Sequence, residues 1–184
     1  LKSALSAAPT VSMNLNPEDF HGAATGINSN PGRRGRFWEK EASLELIEPD
    51  GTTSVQKNCG VRIRGNASRS VNNPKHAFHL YFRGLYGGDL IYPLFGSEGN
   101  VTRFDQIDMR CEQNNSWSSG NSGLNALMRE EFARKTQGDM GQPYSRNGYF
   151  HLYINGIYWG IFNWQEKTEA DVAAAQFGGE DTDY

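Results

Sequence analysis

The stretch from Gly60 to Phe82 reads GVRIRGNASRSVNNPKHAFHLYF, two short alternating runs joined by a polar loop. In the first, Val61 and Ile63 alternate with Arg62 and Arg64. In the second, Phe78, Leu80 and Phe82 alternate with Lys75, His79, Tyr81 and Arg83. Successive strand side chains point to opposite faces, so if the runs pair, Arg62, Arg64, Lys75 and Arg83 share one surface. Four cations on one surface suit an anion; a solvated, charged sheet face is the plain alternative.

Outward from this pair, strands are predicted at Ala42 to Ile47, Val61 to Arg64, Ala77 to Arg83, Gln106 to Arg110, Tyr149 to Ile154 and Tyr158 to Gln165. Asn155-Gly156 suits a two-residue hairpin turn, which needs positive φ at both central residues. Leu124, Leu127, Met128 and Phe132 recur with helical spacing, predicting an amphipathic helix with these four in the core, capped by Asn121 or Ser122 and stopped near Gly138. A second helix is expected between Thr168 and Gly178-Gly179. The stretch from Asn14 to Arg36, rich in Gly, Asn, Pro and Arg, reads as a long irregular loop of the kind that often carries function. The expected class is α+β, an antiparallel sheet with packed helices. Residues 1–41 read as an N-terminal extension and irregular loop belonging to the same domain as residues 42–184.

The chain has 184 residues, 37% of them hydrophobic and 12% aromatic, enough for one domain with a real core. A net charge of −3, with the cations interleaved among 21 acidic residues, argues against a general nucleic-acid binder. No apolar run approaches membrane-spanning length. Cys59 and Cys111 match no zinc spacing; one bridge across neighbouring strands and two reduced thiols are both open.

Five blocks in order carry a family likeness: Gly60 to Arg69, Pro74 to Phe78, Tyr92 to Gly96, Phe104 to Arg110, and Asn155 to Glu166. Together they resemble the CotH family, named for a spore coat protein and containing atypical, kinase-like proteins. The resemblance implies an atypical protein kinase domain that takes ATP with Mg²⁺ and phosphorylates Ser or Thr of a protein partner. It further implies a secreted or cell-surface setting, and a chain that is a fragment lacking the family's C-terminal part.

Phosphoryl transfer asks for cations on the phosphates, acids on the metal and a carboxylate near the nucleophile. For phosphate the candidates are Arg64 and Lys75, then Arg69; for the base, Trp159 and Tyr86. Trp159 and Trp164 are expected on opposite faces of one strand. For metal, Glu166 ends the last strand and Glu169 opens the next helix, while Asp171 reads mostly as a cap. Acids in a first helical turn are also favoured by the helix dipole alone. Glu166→Gln is expected to abolish Mg-dependent ATP binding and leave the fold intact. Glu130 and Glu169 stand where the family has catalytic acids, although Asp is usual at both, and Asn115 stands in the family's Asn-Asp-x-Trp block where Asp is common. A catalytically inactive binding or structural module is therefore the alternative. A carbohydrate-associated structural domain is a third reading.

Overall fold

In the computed structural model, which describes residues 2–96, 101–116, 126–167 and 169–183, seven strands close into a barrel. They are β1 (Thr10–Leu15), β2 (Lys40–Ile47), β3 (Thr53–Ile63), β4 (Phe78–Tyr81), β7 (Gln106–Arg110), β8 (Asn147–Ile154) and β9 (Ile157–Gln165). Around the barrel the order is β1-β2-β3-β4-β7-β9-β8; a separate short pair is formed by β5 (Leu90–Ile91) and β6 (Arg103–Phe104). Every pairing is antiparallel except the one between β1 and β8, which closes the circle. The architecture is thus mostly antiparallel sheet with few helices, within the α+β class.

Alternation builds the core. Val61 of β3 faces Leu80 of β4, and Leu80 faces Ile107 of β7; all three are fully buried. The aromatic centre is Phe78, Phe150 and Phe162, with Phe78 stacked on Phe162 at 5.9 Å between ring centroids. Each such side chain removed from water contributes about 1.5–3 kcal/mol. Asn155 takes positive φ (50°) at the hairpin between β8 and β9 with Gly156 at 80°, as that turn demands.

The segment from Asn14 to Arg36 is more structured than expected. Short helix α2 (Pro17–His21) lies within it, Asn16 caps its start, and Phe20 and Ile27 reach the core. The N-terminus adds α1 (Lys2–Leu5) and strand β1, whose Val11, Met13 and Leu15 are buried in strict alternation.

Helix α3 (Arg129–Asp139) corrects the sequence expectation. It buries no residue, and the expected core members Met128 and Phe132 are 63% and 73% exposed. The reason is electrostatic: the helix turns Glu130 and Arg134 toward the polar outer face of the barrel, which leaves Met128 and Phe132 outward, while Leu127 is half-buried. Leu124, Asn121 and Ser122 lie outside the described residues. Helix α4 (Ala170–Phe177) ends at Gly178 with φ 83°, as read, although no side chain caps its start at Glu169; Thr168 lies outside the described residues.

Trp159 and Trp164 do not take opposite faces. An extra residue of β9 is inserted opposite Leu152 and Tyr153, with Gly160 at φ 113°, and this bulge reverses the parity. Both indoles consequently turn toward the core, Trp159 against Phe20 at 5.5 Å and Trp164 against Phe150 at 4.3 Å. Cys59 on β3 and Cys111 just past the end of β7 are free and buried, with β4 between those strands, and burial pushes both thiols up. Among the described residues no helix is long and apolar enough to cross a membrane.

Candidate functional site

The alternation that sends Ile63, Phe78 and Met109 inward sends a polar set outward. Arg62 pairs across the sheet with His79, His79 with Asp108, and Asp108 with Gln165. His79, Asp108, Asn163 and Gln165 are nevertheless buried, and a buried polar side chain requires a partner. Asp108 meets the requirement at one oxygen, with Arg64 Nε on it; His79 Nδ1 stands 2.7 Å from the other as an ion-pair contact that falls short of hydrogen-bond geometry. Burial pushes the Asp108 carboxyl up, but the His79 contact and the Arg64 charge outweigh it and hold it below the usual range. The far ring nitrogen of His79 faces Gln106 Oε1 at 3.0 Å.

Beside this network a cleft of about 250 Å³ opens between the chain leaving β3, the chain entering β4 and the chain leaving β7; Arg64, Asn66, Ser68, Arg110, Glu112 and Asn114 line it. Gly65 makes the first turn of the wall with φ 104°, and a Cβ there would run into Ser68 Oγ. Gly65→Ala is expected to cost about 1–3 kcal/mol in urea unfolding. Gly32→Ala, with open space around it and no positive φ, should be neutral or up to about 1 kcal/mol more stable.

The opposite wall carries an acid pair. Glu112 is only 3% exposed, sits at φ 49° and has one carboxylate oxygen without a hydrogen-bond partner. Its neighbours are Asn115, Arg110 and Glu130. Burial, then the bond and charge of Glu130, raise the Glu112 carboxyl to about 7. Glu130 in turn accepts Arg110 at 3.0 Å and lies 3.8 Å from Arg134.

The structure scatters the remaining expected residues. Arg64 and Lys75 do not share a face: Arg64 lies on the outer one, whereas Lys75 turns inward onto the Phe162 ring, 4.4 Å from its centroid, and donates to Ile161 O at 2.6 Å. The proline bend before β4 falls outside the strand, so the alternation does not extend back to Lys75. Arg62 and Arg83 do share a face, flanking Tyr81 and meeting on Glu39. Arg69 donates to the carbonyls of Ile63, Gly65, Pro31 and Arg33. Tyr86 donates to Glu39 at 3.2 Å. Trp159 packs at the core edge.

Glu166 is 1% exposed; its carboxylate accepts the Arg146 side chain through two nitrogens and the Arg146 backbone N–H at 2.9 Å. Glu169 is tied to Lys167 and Gln106. Among the described residues no three His, Cys, Asp or Glu side chains converge as a metal site. Trp117 of the family block lies outside the described residues.

Asp108, Arg110, Glu112 and Arg146 were not singled out from the sequence. Asp108 carries a signal, an acid at the outward position of the alternating run Gln106 to Arg110. Arg146 carries none, since nothing in Ser145-Arg146-Asn147 announces a buried partner. A family model described as CotH kinase protein matches residues 61–184. No curated protein matches the chain.

Proposed function

The chain belongs to the CotH kinase family, and from that premise we propose that it is an atypical, kinase-like domain whose cleft takes the phosphates of ATP for transfer to a Ser or Thr hydroxyl of a protein partner. The observation that supports this most is Arg64 at the cleft wall with Nε engaged by Asp108. A guanidinium held at Nε keeps its orientation and leaves its terminal nitrogens for phosphate oxygens, which it can bind bidentately. Arg110 supplies a second cation to the cleft lining, shared with Glu130 at 3.0 Å. At about 250 Å³ the cleft is smaller than the ~300–1,000 Å³ of whole-ligand pockets, so it suits the phosphate end of a nucleotide rather than all of it. Neither Tyr86 nor Trp159, both already packed or bonded, is proposed to hold the base.

Phosphoryl transfer draws its catalysis from positioning and charge stabilisation. Arg64, fixed through Asp108 and His79, provides both to an anion in the cleft. Mg²⁺ would supply further charge neutralisation on the phosphates, but the carboxylates expected for it do not fit: Glu166 is sealed by Arg146, and Glu169 is held by Lys167 and Gln106. No described carboxylate is proposed as its ligand.

Calorimetry of the full chain with Mg·ATP tests the reading. Arg64→Gln should weaken binding about tenfold or more, the equivalent of roughly 1.4 kcal/mol or more for a charged hydrogen bond. Arg103→Gln, whose side chain is 78% exposed and bound to Asp89 away from the cleft, should leave it unchanged. Equal affinities for Arg64→Gln and wild type, or no binding by wild type, would replace this reading with that of a binding module.

A further inference from the structure

Most arginines in this chain have a carboxylate. Arg62 and Arg83 share Glu39, Arg64 takes Asp108, and Arg110 and Arg134 share Glu130. Against that background one group stands apart. Arg33, Arg34 and Arg36 make no ion pair among the described residues, and all three are exposed. In a chain of net charge −3, three uncompensated cations within four residues form a concentrated positive strip.

The strip is held in place rather than left loose. Arg69 reaches across from the neighbouring loop and donates to the carbonyls of Pro31 and Arg33, at 3.1 and 2.8 Å. Arg33 N–H donates to Asn30 O, and Asn30 ties back to Ala23 and Gly26. Arg69 itself has only neutral carbonyls as partners, and burial followed by the nearby Arg34 charge pulls its pKa down. Like charges are thus crowded together on a fixed backbone, an arrangement that costs stability unless an anion is bound.

The strip also begins at the cleft. Arg34 Nη2 donates to Asn66 Oδ1 at 2.6 Å, and Asn66 lines the cleft beside Arg64. Two large apolar side chains stand nearby in sequence on the same pair of loops, Phe37 and Val71, each 74% exposed. Cations followed directly by an exposed aromatic group, Phe37, suit a polypeptide, whose side chains offer carboxylates and hydrocarbon together. A nucleic acid is the poorer match, because the net negative charge of the whole chain opposes a long polyanion.

We infer that Arg33, Arg34 and Arg36 form a docking strip for an acidic segment of a protein, positioned so that the residues next to that segment reach the cleft. The docking itself stands on the charge and geometry of the loop; that the docked protein is the phosphate acceptor rests on the kinase-like reading above. Each arginine offers a planar pair of donors to an Asp or Glu carboxylate, and the contribution is set by charge, so it weakens with salt.

Fluorescence anisotropy of the full chain with a labelled Asp/Glu-rich peptide carrying a central Ser tests the inference. Wild type should bind with an affinity that falls as salt is added. The variant R33Q/R34Q/R36Q should bind about tenfold more weakly or worse, with a thermal midpoint no lower than that of wild type, because all three side chains are at the surface and their mutual repulsion is removed. Three results would overturn it: no binding by wild type, equal binding by the variant, or binding of a Lys-rich peptide or a single-stranded oligonucleotide as tight as that of the acidic peptide. Mg·ATP titrated into both proteins separates the two claims. Peptide binding lost by the variant with no Mg·ATP binding by wild type keeps the docking strip and removes the kinase reading; Mg·ATP binding without peptide binding does the reverse.

Discussion

Arg146→Met lowers the unfolding free energy in urea by about 3–5 kcal/mol, the cost of stranding one member of a buried ion pair. The methionine keeps most of the hydrocarbon stem and removes the guanidinium, which also sits over the Phe95 ring at 5.1 Å, so the loss reports charge more than packing. Glu166→Gln should lose a comparable amount, since an amide cannot accept from the backbone N–H and both guanidinium nitrogens as the carboxylate does. The paired change Arg146→Met with Glu166→Leu should recover much of the loss, because removing both charges also removes their desolvation. A Glu166→Gln variant as stable as wild type would show that the pair does not support the fold. This reverses the expectation drawn from sequence, that Glu166→Gln leaves the fold intact.

Glu112 sets the second large effect, through pH. Its carboxyl is raised to about 7 in the folded state, so the folded chain holds a proton that the unfolded chain releases. Stability therefore falls as pH rises from the ordinary glutamate range to about 7, and is flat above it. Discounted for solvent reaching the cleft, the loss is about 2 kcal/mol across that window. The groups facing Glu112 are Arg110 on β7, Glu130 and Arg134 on α3, Lys75 before β4 and Tyr149 on β8. Glu112→Gln carries a permanent donor in place of the proton. Urea titrations from about pH 5 to about pH 8 should show a sloping wild type and a flatter variant, with the variant more stable by about 1–2 kcal/mol at the alkaline end. Parallel slopes would assign the pH dependence to another group.

Local pattern carried the strands well. Gln106 to Arg110 was read with the bounds that the structure gives, and the β8–β9 hairpin followed from Asn155-Gly156 alone. Strand β1 is equally legible in Thr10 to Leu15, where Val11, Met13 and Leu15 alternate with polar residues, although the segment that follows it is irregular in composition. What local pattern could not supply was which polar side chain would find which. Lys75, Arg69 and Glu166 read as free charges because their partners are remote: Ile161, Pro31 and Arg146 are 86, 38 and 20 residues away. Periodicity misled at Met128 and Phe132 for a related reason. An apolar stripe states which face of a helix prefers burial, yet the Glu130 contact to Arg110 on a strand set the orientation instead. The bulge has one signal in the sequence, Gly160 itself, since an isolated glycine inside a strand often marks an inserted residue.

Closure of the barrel by β1 against β8 has a kinetic meaning. Asn155 bonds Leu15 across 140 residues of chain, so β1 waits for the much later β8 before it acquires its second neighbour. Until then β1 has β2 on one side and an open edge on the other, and open edges pair with whatever strand they meet. Contacts this distant also slow folding, because loop entropy is lost before any bond repays it. The family-matched stretch starts at Val61, inside β3. An expression boundary drawn there removes β1, β2 and most of β3, leaving β4 and β8 with one neighbour each and the barrel open along two edges.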